Sequence, residues 1–144
     1  MKKLICVMAL VCIGILLVSC GSNRLDNPKA QFMRDFGLNI DKKDCVLEEL
    51  FNNYEGVSYE GIALYKLTVG EDVRQAFLQW ERFPLPEAAE NFLESLSAYV
   101  ELPSITDGYW KMVDRNPGTS AYTNVSLCVY DGATGAAYLL TMDI

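Results

Sequence analysis

The chain has 144 residues, 51% of them hydrophobic, with 12 Lys and Arg against 19 Asp and Glu, five Cys and no His, for a net charge of −7. The absence of histidine excludes the Ser-His-Asp and Cys-His nucleophile systems and the His-based zinc centres of hydrolases. The acidic balance, with no basic cluster to set against it, disfavours nucleic acid and anionic headgroups as partners, and no pattern calls for a cofactor or a metal.

In chain order, the first feature is an export signal. Lys2 and Lys3 precede an apolar run over residues 4–18, which ends in Leu17-Val18-Ser19-Cys20. A positive n-region, a short apolar h-region and a small-residue site describe a secretory leader, and the terminal cysteine makes it a bacterial lipoprotein signal. The Cys20 thiol would become the thioether of a diacylglyceryl group, and two acyl chains are enough for stable anchoring. The run itself is short of the roughly 20 apolar residues that a spanning helix needs, and it gives way to Gly21, Ser22 and Asn23. Residues 1–19 are thus expected to be a signal peptide, residues 20–30 a lipidated polar tether, and residues 31–144 one domain, held outside the cytoplasm at the membrane or envelope. From Cys20 onward the chain loses Lys2 and Lys3, so its net charge falls to −9 over 125 residues, a length that supports one core.

Within the domain, residues 45–51 read as a strand, although Val46, Leu47, Leu50 and Phe51 also fit a helical stripe after Asp44. Residues 62–69 are a firmer strand, closed by Gly70. Val73, Ala76, Phe77 and Trp80 recur at helical spacing. A second helix places Pro86 in its first turn, with Leu85, Ala89, Phe92, Leu93, Leu96 and Val100 on its stripe. Residues 109–115 are a strand ended by Asn116-Pro117-Gly118. Over residues 122–130, Thr123, Val125, Leu127 and Val129 alternate with Asn124, Ser126 and Cys128, which predicts one buried face and one that is solvated or covered by something polar. A Gly-containing loop at residues 131–135 returns the chain into a last strand over residues 136–144. The expected fold is α+β, an antiparallel sheet of about five strands with two helices on one face, in the order β-β-α-α-β-β-β.

The stretches Gly108-Tyr109-Trp110-Lys111-Met112-Val113-Asp114-Arg115, Val129-Tyr130-Asp131 and Tyr138-Leu139-Leu140-Thr141-Met142-Asp143 resemble an uncharacterised group of small exported bacterial α+β proteins. In that group the first hairpin carries Gly-Phe-His-Gly-Asp-Gly, and the Asp-Arg pair is followed by His-Ser. The corresponding stretches here are Gly56-Val57-Ser58-Tyr59-Glu60-Gly61 and Asp114-Arg115-Asn116-Pro117, which lack both histidines. The resemblance implies the fold far more than a function.

Candidate functional residues are accordingly few. Asp114 could pair with Glu60 as a two-carboxylate acid/base site of the glycosidase kind, or Asp114-Arg115 could be a structural ion pair or turn cap. Glu87, Glu90 and Glu94 read as a solvated helix face. Cys45 and Cys128 are the thiols left after leader removal and lipidation; they would form either a disulfide, as exported domains favour, or two separate thiols with Cys45 packed as a small apolar residue. Among eight Tyr, six Phe and two Trp, the periodicity sends Phe77, Trp80 and Phe92 to the core. Tyr59, Tyr109, Tyr122 and Tyr130, with Asp114 and Arg115, would form an interaction surface, or else pack into the core and sheet faces. The sequence therefore points to a lipid-anchored, non-catalytic binding or interaction domain with an envelope protein as partner, an immunity or inhibitor protein being one form of it. The alternative is a carboxylate-based hydrolase of cell-wall glycans.

Overall fold

A computed structural model describes residues 27–41, 44–54, 60–118 and 122–144. The leader, Cys20, most of the expected tether and Tyr59 lie outside the described residues. The elements are α1 (Pro28–Phe36), β1 (Val46–Asn52), β2 (Gly61–Thr68), α2 (Glu71–Phe77), β3 (Glu81–Arg82), α3 (Glu87–Leu96), β4 (Gly108–Asp114), β5 (Asn124–Asp131) and β6 (Ala136–Asp143). The six strands form one antiparallel sheet in the order β1-β2-β6-β5-β4-β3. The α+β class is as expected, with six strands in place of about five and three helices in place of two.

The helices do not share a face. Phe32 and Phe36 of α1 and Val73 and Phe77 of α2 pack with Ala63, Tyr65, Leu67, Cys128, Tyr130, Ala137 and Leu139 on one side of the sheet. Ala89, Phe92 and Leu96 of α3 pack with Leu64, Val125, Leu127, Val129, Leu140 and Met142 on the other. The expected one-sided arrangement is therefore corrected, and the cause lies in the central strands. All eight residues of β6 are buried, and so are seven of the eight in β5, because both sets of alternating side chains are largely apolar and each needs a cover. The face of Asn124, Ser126 and Cys128, expected to be solvated or covered by something polar, is covered by α1 and α2: Ser126 meets the polar Asp35 of α1 while Cys128 lies in the apolar core, and both are fully buried.

Helix α1 was not anticipated, and it takes in Pro28, Lys29 and Ala30 from the stretch assigned to the tether. Its ends are locally specified. The Asn27 side chain accepts hydrogen bonds from the backbone N–H groups of Lys29 and Ala30, Pro28 stands at the first helical position, and Gly37 closes the helix at φ 71°, where only glycine avoids a Cβ penalty. Pro86 proves to be the N-cap of α3, one position before its first turn. The two-residue strand β3 pairs with Trp110 and Tyr109 at the far edge. At the opposite edge β1 is mostly exposed and bulges between Glu49 and Phe51.

Candidate functional site

Two regions combine chemistry with shape, one on each face of the sheet. On the α1 face, the sheet end formed by the start of β5 and the end of β6 holds a buried polar cluster. In α1, Gln31 and Asp35 are four residues apart, so they lie on one side of the helix, next to the apolar pair Phe32 and Phe36. Asp35 is 2% exposed at its side chain. Its Oδ1 accepts from Nε of Arg34 at 2.6 Å, and its Oδ2 accepts from Nη1 of Arg115 at 2.8 Å and from Oγ of Ser126 at 2.7 Å. Arg115 also donates through Nη2 to Oδ1 of Asp143, whose other oxygen accepts from the Tyr54 hydroxyl at 2.7 Å. Gln31 donates to Oγ1 of Thr141 at 3.0 Å.

The cluster contains two guanidinium groups and two carboxylates, so its formal charges cancel. Burial by itself would push the Asp35 carboxyl up; the bonds from Arg34 and Ser126 and the charge of Arg115 outweigh it and hold the group below the ordinary carboxylate range. The Tyr54 hydroxyl is raised, first by burial and then by its bond to Asp143. The Arg34 guanidinium is raised by its hydrogen bond to Asp35. Every carboxylate in the cluster is thus engaged by a cation or a hydroxyl. Such a network docks α1 onto the sheet.

Arg115, expected beside Asp114 on an interaction surface, turns inward and is 19% exposed at its side chain. Asp114 does not pair with it; Oδ1 of Asp114 accepts from the backbone N–H of Asn116 at 2.8 Å, which is the turn-cap reading. Nor are Asp114 and Glu60 brought together. Glu60 precedes β2 and Asp114 ends β4, with β6 and β5 between them. Three strand spacings amount to roughly 14 Å, beyond the ~5–9.5 Å that two glycosidase carboxyls require.

The tyrosines do not make one surface. Tyr130 is 1% exposed and stacks on Phe77 at 4.8 Å. Tyr109 packs against the same α1/α2 core, 6.5 Å from the Tyr130 ring. Tyr122 lies on the opposite face, against Phe92 at 5.6 Å, and its hydroxyl donates to the Ala88 carbonyl at 2.9 Å. Phe77 and Phe92 are fully buried as expected, and Trp80 sits at the edge of the core against Phe77 and Phe36. Cys45 and Cys128 are free thiols, so the disulfide alternative is not realised. Cys128 is enclosed within the α1/α2 core, where burial pushes its thiol well above the ordinary value; the half-buried Cys45 packs at the margin of the same cluster. Among the described residues, no group of three or more His, Cys, Asp or Glu is arranged to hold a metal ion.

The second region is an open apolar groove on the α3 face. The last turn of α3 and the irregular segment at residues 97–106 leave a hollow of about 400 Å³, lined by Phe83, Leu85, Leu93, Val100, Leu102 and Ile105 and reaching Val129 of β5. A second hollow of about 400 Å³ adjoins it and shares Phe83, Leu85 and Ile105. The sequence already placed Leu85, Leu93 and Val100 on one helical stripe. It gave no sign that α3 would stop at Leu96 and leave part of that stripe facing a cleft. At that volume the hollow falls within the range of ligand pockets, about 300–1,000 Å³.

No family model matches this chain, and neither the curated proteins nor the solved structures give a match.

Proposed function

We propose that this protein is a lipid-anchored binding domain of the bacterial envelope that engages its partner without catalysing a reaction. The observation that carries the reading is the groove on the α3 face, an apolar concavity of about 400 Å³ in a domain whose other polar constellation is consumed by its own fold. An apolar hollow open to solvent is a recognised place for a ligand or a partner side chain to settle. The anchor would come from Cys20 and would hold the domain at the membrane surface through two acyl chains. Within the described residues no helix is long and apolar enough to cross a membrane. An acidic domain suits a basic partner, and an immunity or inhibitor protein is one form such a module takes.

The test has two arms on the same cells. Labelled palmitate should enter the protein and be lost in Cys20→Ala, with the wild type in the membrane fraction. Covalent cross-linking of the anchored protein, followed by mass spectrometry, should return one saturable partner that is lost when salt is raised. An unlabelled protein would overturn the anchor, and no partner at any salt concentration would overturn the binding reading.

A further inference from the structure

Resting on the binding reading above, we infer that the α3 groove takes an apolar peptide segment flanked by Lys or Arg, presented by the partner protein. The floor of the two adjoining hollows is aliphatic and aromatic, so the part of the occupant that enters it must be apolar. The rim sets the charge. Glu94 and Glu101 line the first hollow and Glu90 lines the second, while no lining residue of either is Lys or Arg. All three glutamates are exposed. The nearest cation in sequence, Arg82 beside Phe83, is already paired with Asp107 at 3.2 Å.

Three carboxylates around an apolar floor repel an anionic acyl chain and an acidic second copy of this domain, whereas they attract a cation held beside an apolar group. Specificity on this account comes from the rim and affinity from the floor.

The experiment uses the full lipidated chain in phosphatidylcholine nanodiscs, titrated calorimetrically with two peptides of identical apolar centre, one ending in Lys-Lys and the other in Glu-Glu. Empty nanodiscs supply the blank. The Lys peptide should bind at least tenfold more tightly, and the gap should narrow as salt rises. The charge reversal Glu94→Lys with Glu101→Lys should abolish or invert the preference; Glu94→Gln with Glu101→Gln should reduce it, and serves if the reversal disturbs folding. Equal binding of both peptides, or a preference that survives the reversal, overturns the inference. So does binding of dodecylammonium with neither peptide bound, and so does a concentration-dependent dimer that the same substitutions abolish. Failure of the peptides while the cross-linking experiment still returns a partner removes this occupant and leaves the binding reading intact.

Discussion

The two faces of the sheet are built on the same strands yet end differently, and the contrast separates a surface closed by matched polarity from one left open. On the α1/α2 face, side chains of β5 and β6 run from the apolar Cys128, Tyr130, Ala137 and Leu139 to the polar Ser126, Thr141 and Asp143, and α1 matches that change with Phe32 and Phe36 followed by Gln31, Arg34 and Asp35. The match closes the surface. On the α3 face the strand residues stay apolar to the end, through Val125 and Met142, and all of these are buried, but α3 ends at Leu96 and the segment after it leaves a hollow against Phe83, Leu85 and Leu93 that reaches Val129. The mismatch leaves a cleft. Complementary polarity along a helix therefore closes one face, while a short helix and the segment after it leave a groove on the other.

The contrast is broken most severely at Arg115. Arg115→Met should cost about 3–5 kcal/mol in chemical denaturation, because it strands the buried carboxylates of Asp35 and Asp143 without their shared cation. A loss under 1 kcal/mol would mean that α1 is held by Phe32, Phe36 and the bonds of Gln31 and Ser126, with little from Arg115. Tyr54→Phe should cost about 1.5–3 kcal/mol, as expected for a hydrogen bond to a charged group. Tyr54 also gives the wild type a sign in alkali. Its proton is held more firmly in the folded state, so stability should fall once the unfolded tyrosine ionises, above about pH 10. Denaturation midpoints from pH 9 to 11 should show that component in the wild type and lack it in the variant.

At the acidic end the same face should respond in the opposite sense. The Asp35 carboxyl is held below its ordinary value when folded, so its contribution is complete above the unfolded pKa of about 3.9 and is lost as pH falls through the folded value, the unfolded chain taking up the proton first. Asp35→Asn should flatten that part of the acid profile. The smallest effect belongs to the other face. Glu94→Gln with Glu101→Gln should change stability by no more than about 0.5 kcal/mol, since both side chains are exposed at a rim. A larger loss would mean that the groove's rim is part of the structural frame.

Much of the fold was legible because its periodicities are strong. Val73, Ala76 and Phe77 marked α2, which stops before Trp80, and Ala89, Phe92 and Leu96 marked α3, since a 3.6-residue repeat returns the residues of each helix to one side. The unbroken apolar run from Ala136 to Leu140 was itself a sign of a strand covered on both sides, and it already argued against placing both helices on one face. Helix α1 escaped because half of its buried side is Gln31 and Asp35, which breaks an apolar stripe. Its caps, Asn27 with Pro28 at one end and Gly37 at the other, were the readable signal. The polar cluster had no local signal, since Arg115 and Asp35 are 80 residues apart and Tyr54 and Asp143 are 89 apart. Arg115 looked like half of an Asp-Arg surface pair for the same reason: neighbours on a strand point to opposite faces, and only the strand order decides what each meets.

By itself the sequence determined the α+β class, the antiparallel strands, two of the helices and the absence of histidine chemistry, because each is set by residue type or by a repeat short enough to act along the chain. The tertiary structure alone decided that the helices divide between two faces, that Arg115 bridges Asp35 and Asp143, and that α3 leaves an acidic-rimmed groove. Each of those depends on pairing residues far apart in sequence, and burial energy is settled only once the sheet order brings them into contact.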